Sequence, residues 1–185
     1  MAKTIHVLGI PGSLRKASFN LALLKKAQEL APGNMRLTIQ TLIDIPLYND
    51  DVIPDAIPPA VLDFRKAVSE ADALLIACPE YNYSYTGVLK NALDWLSTDA
   101  LGNLMNGKRV ALMGASKTGF GTVRAQLHLR QVLFAMHASV LARPEVHVSR
   151  AQNSIDPDGK ITDEKLIQQI SSLLSKMEGF LLGVG

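Results

Sequence analysis

The sequence predicts an α/β domain in which a parallel sheet is covered by helices on both sides. Two observations carry this. Short apolar runs alternate with amphipathic segments of helical period along the whole chain, and the apolar runs lack the in-out alternation of a half-exposed sheet. Strands apolar on both faces belong to parallel sheets buried between two helical layers. A third observation concerns where the loops fall: three of the runs lead directly into segments rich in small and hydrogen-bonding residues.

Ile5-His6-Val7-Leu8-Gly9 reads as a first buried strand. A helix from Ser18 to Ala31 follows, with Ser18 as N-cap, Leu23, Ala27 and Leu30 on one face, and Pro32-Gly33-Asn34 as its stop. Leu37 to Leu42 alternates as a second strand. Ile43 to Pro59 holds four prolines and several aspartates and reads as an extended excursion without regular structure. Val61 to Glu70 is a short amphipathic helix, Ala73-Leu74-Leu75-Ile76-Ala77 a third strand, and Val88 to Leu96 a helix. Lys108 to Met113 is a fourth strand, entered through Asn106-Gly107. Gly119 to Thr122 leads into a helix of about four turns ending near Met136. Ser139 to Ala142 and Glu145 to Val148 flank Pro144 as an interrupted fifth strand. Asp163 to Leu182 closes the chain as a helix with Leu166, Ile170, Leu173, Met177 and Phe180 as its apolar stripe.

The totals narrow the class. A chain of 185 residues, 48% hydrophobic, is enough for one domain over residues 1–185 with a full core. Nineteen basic against seventeen acidic residues give a net charge of +2, too even for a nucleic-acid binder that works by neutralising phosphates. Local basic sites such as Arg15-Lys16 still suit a small anion. No apolar run approaches a membrane span, and the first ten residues lack a basic stretch leading into a long apolar one. The expected compartment is the cytoplasm. The single cysteine, Cys78, excludes an internal disulfide and a multi-cysteine metal site. A lone cysteine before Pro79 reads as packing rather than redox chemistry.

In open parallel sheets ligands bind beyond the carboxyl ends of the strands, near the point where strand order reverses. The loop Ile10 to Ser18 follows the first strand. Gly12 permits a tight turn, Ser13 and Ser18 offer hydroxyls, Arg15 a forked cation, and Asn20 lies in the first turn of the next helix. With the free amides and positive dipole of a helix start, this set suits a phosphate; a plain strand-to-helix turn capped by Ser18 is the alternative. The triphosphate motif G-x-x-x-x-G-K-[ST] and the dinucleotide fingerprint G-x-G-x-x-G are both absent, which points to a mononucleotide.

The loop Cys78 to Gly87 contains Pro79-Glu80-Tyr81-Asn82-Tyr83-Ser84-Tyr85. Three tyrosines between a buried strand and a helix make a surface for a flat, hydrogen-bonding ring, with Asn82 and Ser84 available to its edge. At least one of the tyrosines is expected to be ordinary packing. Glu80 reads as a turn-stabilising or interface carboxylate in preference to a catalytic acid. The third loop, Ala115 to Thr122, contains Ser116-Lys117-Thr118-Gly119-Phe120-Gly121. Gly119 and Gly121 let the backbone approach a ligand closely. Gly114-Ala115-Ser116-Lys117-Thr118 fails the G-x-S-x-G pattern of hydrolases, and His128 and His137 fall in a helical pattern as structural residues.

Gly12-Ser13-Leu14-Arg15-Lys16-Ala17-Ser18-Phe19-Asn20 resembles the phosphate loop of NADPH-dependent FMN reductases. Pro79-Glu80-Tyr81-Asn82-Tyr83-Ser84 and Leu89-Lys90-Asn91-Ala92-Leu93-Asp94-Trp95-Leu96 resemble that family's flavin-ring loop and the helix after it. Arg124, His128-Leu129-Arg130-Gln131, Pro144-Glu145 and Gln152-Asn153 are similar to its bacterial quinone and chromate reductase branch, where Leu127 is often a tyrosine. The resemblance implies a flavodoxin-like three-layer sandwich around a five-stranded parallel sheet of order 2-1-3-4-5, with FMN bound noncovalently. It places Ser13, Arg15, Ser18 and Asn20 on the phosphate, Pro79, Glu80, Tyr81 and Asn82 along the isoalloxazine ring, and Ser116, Lys117 and Gly119 beside it. It further implies NADPH or NADH as cosubstrate and ping-pong hydride transfer to quinones, azo dyes, chromate or free flavin. No catalytic side chain and no metal are implied, and the assembly is a homodimer or homotetramer with the site near a subunit interface. The alternatives are an electron carrier of flavodoxin type, which is ordinarily strongly acidic, and a flavin-free hydrolase.

Overall fold

A computed structural model describes residues 4–53 and 56–183. Its elements are β1 (Ile5–Pro11), α1 (Phe19–Glu29), β2 (Met35–Ile39), α2 (Pro59–Glu70), β3 (Ala73–Ala77), α3 (Gly87–Ser97), β4 (Arg109–Ala115), α4 (Val123–Ala135), β5 (Ser139–Val140), β6 (Val146–Val148) and α5 (Glu164–Leu182). The strands pair in parallel in the order β2-β1-β3-β4-β5, with β6 also on β4. This is the flavodoxin-like arrangement. The interrupted fifth strand is two short pieces: β5 pairs with Arg109 and Val110 at the start of β4, and β6 pairs with Met113 to Ala115 at its end. Pro144 lies between them, and its missing amide hydrogen cannot serve a ladder.

Strand β3 shows why the sheet is hidden on both sides. Ala73, Leu75 and Ala77 face the layer of α1 and α5, while Leu74, Ile76 and Cys78 face α2, α3 and α4. Each fully buried leucine or isoleucine stabilises the fold by about 1.5–3 kcal/mol relative to exposure. The Leu166, Ile170, Leu173 and Met177 stripe of α5 is buried as its period requires, whereas Phe180 is half-buried and has the Arg109 guanidinium 5.7 Å from its ring. Asp163 caps α5, accepting from the amides of Lys165 and Leu166 at 3.0 and 3.2 Å and from the Ser154 hydroxyl at 2.6 Å.

Three local expectations are corrected. The second strand covers Met35–Ile39, not 37–42; Leu42 is only 2% exposed but belongs to the core beneath α2 and α3 rather than to the ladder. The proline-rich excursion holds a 3₁₀ turn at Asp50–Val52. It is pinned to α3, where Trp95 Nε1 and Asn91 Nδ2 both donate to the Pro46 carbonyl at 2.9 and 2.8 Å. The Tyr48 amide donates to Asn91 Oδ1 at 2.7 Å, and its ring meets Trp95 edge-on at 5.0 Å. His137 lies just beyond α4 in a left-handed conformation (φ 60°), not within the helix.

Candidate functional site

The chain runs from β1 outward to β2 and then back across to β3, so strand order reverses between β1 and β3. A crevice must open beyond the carboxyl ends at that point. The register puts Pro11 beside Ala77 and Ala77 beside Met113, which aligns the three loops along one edge. The ladder carries slightly past the strands: the Gly12 amide donates to Ala77 O at 2.9 Å and the Cys78 amide to Met113 O at 2.8 Å. Gly12 also lets two loops touch, because a Cβ there would stand 2.8 Å from Pro79 Cδ. At Gly114 a Cβ would lie 2.2 Å from the Cys78 carbonyl oxygen and 2.4 Å from Thr122 Oγ1, so only glycine fits.

A cleft of about 220 Å³ opens there. It brings together Ser13, Arg15, Ser18, Asn20, Pro79, Glu80, Tyr81, Ser116 and Lys117, along with Phe19, Ala115 and Thr118. Asn82 and Gly119 do not line it. Asn82 is at the tip of a turn, and Gly119 has no other part of the chain packed where a side chain would begin.

The residues around the cleft divide by what already engages them. Ser18 is 6% exposed and caps α1, its hydroxyl accepting from the Leu21 amide at 3.3 Å. The first amides of α1 have no partner within their own helix and lie at its positive end. Arg15 is exposed, and among the described residues it has no carboxylate within ion-pair distance. Asn20 is already occupied. Its amide donates to Ala115 O and accepts from Ala115 N, both at 3.0 Å, tying α1 to the end of β4. Thr86 makes a second tie, donating to Gly12 O at 2.7 Å while capping α3 at the Leu89 amide.

Glu80 lines the cleft and is also tied into the fold. Thr122, the N-cap of α4, makes no side-chain cap bond. Glu80 supplies the cap from another loop: one oxygen accepts from the amides of Arg124 and Ala125, both at 3.1 Å, and the other from Arg124 Nε at 2.6 Å. The Arg124 guanidinium completes an ion pair with it. Its carboxylate thus meets both the helix dipole and a cation. The same guanidinium stacks over the Tyr83 ring at 3.7 Å and the Phe120 ring at 4.8 Å, joining the second and third loops.

The tyrosine loop closes on itself. Tyr81 and Ser84 exchange amide-carbonyl bonds of 2.9 and 3.0 Å around Asn82 (φ 49°) and Tyr83 (φ 68°), a two-residue turn of type I′. The ring of Tyr83 is 67% exposed in a conformation that favours glycine. Ser84 Oγ also contacts His128 Nδ1 at 3.1 Å, so His128 ties α4 to this turn. Tyr85 packs against the core, the one tyrosine of the three that does. In the third loop, Ser116 Oγ accepts from the Thr118 amide at 3.2 Å, and Arg150 and Ala151 bind the loop's carbonyls. Burial, and then the nearby Glu80 charge, push the Cys78 thiol far above its ordinary range, which leaves it unreactive. Among the described residues no cluster could hold a metal ion, and no helix is long and apolar enough to cross a membrane.

Sequence reasoning had no signal for the Arg124 stack or the Asn20 and Thr86 ties, since each depends on residues brought together by the sheet. The cleft's donor set fits a phosphorylated flavin: hydroxyls, an exposed guanidinium and a helix start at one end, a proline-tyrosine wall at the other. Comparison with known proteins agrees with this geometry. Residues 5–153 match the NADPH-dependent FMN reductase family. The chain is 47% identical over 178 residues to an NAD(P)H-dependent FMN reductase of Pseudomonas aeruginosa, covering 96% of each. It is 35% identical to a quinone reductase of Escherichia coli, over 98% of this chain and 97% of that one. Its fold superposes on the flavoenzyme NAD(P)H:(acceptor) oxidoreductase FerB of Paracoccus denitrificans with a TM-score of 0.88, at 33% identity over 98% and 99% of the two chains. The chain belongs to the NADPH-dependent FMN reductase family of oxidoreductases.

Proposed function

We propose that the protein is an NAD(P)H-dependent quinone reductase that holds FMN in the β1/β3 cleft. The observation that carries this is the grouping of Arg15, which has no carboxylate partner among the described residues, with the Ser13 and Ser18 hydroxyls at the open start of α1. Those groups would bind the phosphate. Pro79 to Tyr81 and Ser116 to Thr118 would flank the ring, with Asn20 and Glu80 fixing the loops rather than touching the reaction. Bound FMN would supply the two-electron chemistry, accepting hydride from the nicotinamide and returning electrons to the acceptor. The protein's part is to orient, to shield and to offset phosphate charge. One open face would serve cosubstrate and acceptor in turn, which gives ping-pong kinetics. Relatives named for quinone reduction support quinones as acceptors; azo dyes, chromate and free flavin are further acceptors of this reading.

The cleft is smaller than the roughly 300–1,000 Å³ of a typical ligand pocket. Phe120, Val123, Leu127 and Phe134, on and beside α4, are large apolar residues left exposed. A second copy of the chain packed on them would enclose the ring in a homodimer, or a homotetramer by further pairing, and the cytoplasm would supply the NAD(P)H. Acceptor-dependent oxidation of NADPH and NADH by purified protein, with a panel of quinones, tests the reading. Parallel double-reciprocal lines are expected. A protein that binds no flavin and oxidises no NAD(P)H would refute it.

A further inference from the structure

A groove of about 520 Å³ adjoins the cleft and shares Arg15, Ser18, Phe19 and Lys117 with it. It runs between the outer face of α1 and the turn at residues 152–159. We propose that this groove receives the adenylate half of a flavin dinucleotide, so that the chain accepts FAD as well as FMN. The proposal rests on the FMN reading of the cleft.

The groove begins where a flavin phosphate would end. In FAD the second phosphate is bonded to the first, so the added half must leave the cleft from that point. Arg15, Lys16, Lys25 and Lys117 rim the groove, and none has a carboxylate within ion-pair distance among the described residues. Of the two carboxylates there, Asp156 is engaged by its own turn, accepting from the amides of Asp158 and Lys160 at 3.0 and 2.8 Å. Positive charge therefore exceeds negative along the path of a pyrophosphate. Deeper in, Leu21, Ile155 and Pro157 give the apolar wall that a purine needs, in a volume within the usual range for small ligands.

The wall is preformed. Ile155 and Ile161 bridge across the turn, the Gly159 amide donates to Asp156 O at 3.0 Å, and Gly159 passes close to Ala22 of α1. An inorganic phosphate would use only the rim and leave the apolar part empty. The ADP half of a nicotinamide nucleotide fits less well. Such a cosubstrate must start from the ring end, yet none of Pro79, Glu80 and Tyr81 reaches the groove.

The test is titration of flavin-free protein with FMN and with FAD, read by flavin fluorescence, for the wild type and for Lys25→Glu and Gln152→Trp. Both positions are exposed and neither lines the cleft. The wild type is expected to bind FAD at least as tightly as FMN. Each variant should weaken FAD roughly tenfold, Lys25→Glu by removing one charge-assisted contact and Gln152→Trp by filling the groove, while FMN affinity stays within about twofold. FMN binding with FAD excluded, or equal loss of both flavins, overturns the proposal and leaves the FMN reading intact. A raised KM for NADPH with unchanged FAD affinity assigns the groove to the nicotinamide nucleotide and also overturns it. Failure to bind either flavin removes the FMN reading and this proposal together.

Discussion

The loop after β1 and the loop after β3 stand side by side at the same sheet edge and are built on opposite plans. In the first, the strongest groups remain open: Arg15 has no carboxylate partner among the described residues, and the start of α1 presents free amides. In the second, the backbone of the turn and the one carboxylate are engaged. Tyr81 and Ser84 satisfy each other, and Glu80 caps α4 and pairs with Arg124. A loop with unengaged donors can bind an anion; a loop that satisfies itself can only present a fixed wall. Two neighbouring loops therefore divide the labour of holding a ligand that is charged at one end and flat at the other.

The difference can be broken by substitution. Glu80→Ala should have the largest effect, lowering stability by about 3 kcal/mol in urea unfolding, because it strands the Arg124 guanidinium and two helix amides. Glu80→Gln should recover part of this. Arg15→Ala should leave stability within about 0.5 kcal/mol. It should instead weaken FMN binding by about 1.5–3 kcal/mol, or roughly 10- to 100-fold in Kd. If Glu80→Ala impaired only binding, or Arg15→Ala only folding, the contrast between the loops would be wrong.

The third loop rests on β6, where His147 is half-buried and its Nδ1 has no hydrogen-bond partner among the described residues. Burial holds its imidazole below the ordinary 6.5; Glu145 and Glu80 oppose this, while Arg130 and Arg143 add to it. The unfolded chain then takes up the proton more readily than the folded one. Stability is full above pH 6.5 and falls as pH drops through and below that value. Melting temperatures between pH 7.5 and roughly 5.5 should show this decline, and His147→Gln should flatten it. The smallest effect is expected at Tyr83→Gly. Relief of a left-handed tyrosine is worth about 1 kcal/mol, and the loss of its stack on Arg124 costs about as much, at 0.5–1 kcal/mol. The change in melting should be near zero.

The placing of these loops was legible in the sequence because each follows an apolar run, and the end of such a run is the end of a strand. The cap at Ser18 was legible for a similar local reason: a hydroxyl stands just before an amphipathic period. The links that make the edge rigid were not. Asn20 meets Ala115 across 95 residues, Thr86 meets Gly12 across 74, and Glu80 meets Arg124 across 44. Each depends on strand register, which no local pattern encodes. The loop sequence points Asn20 at a phosphate, and the family resemblance places Glu80 along the ring; both line the cleft, and their hydrogen bonds also fasten one element to another. The shift of β2 has the same cause. Leu42 looks like the next residue of an alternating strand, yet it is buried on the other side of the sheet from Leu37.

The most direct measurement is titration of flavin-free protein with FMN, comparing the wild type with Arg15→Ala. The division between an open loop and a closed one predicts one FMN bound per chain, with affinity lost in the variant and thermal stability unchanged. Wild-type protein that takes up no FMN, or an Arg15→Ala variant that binds it as tightly, would contradict it.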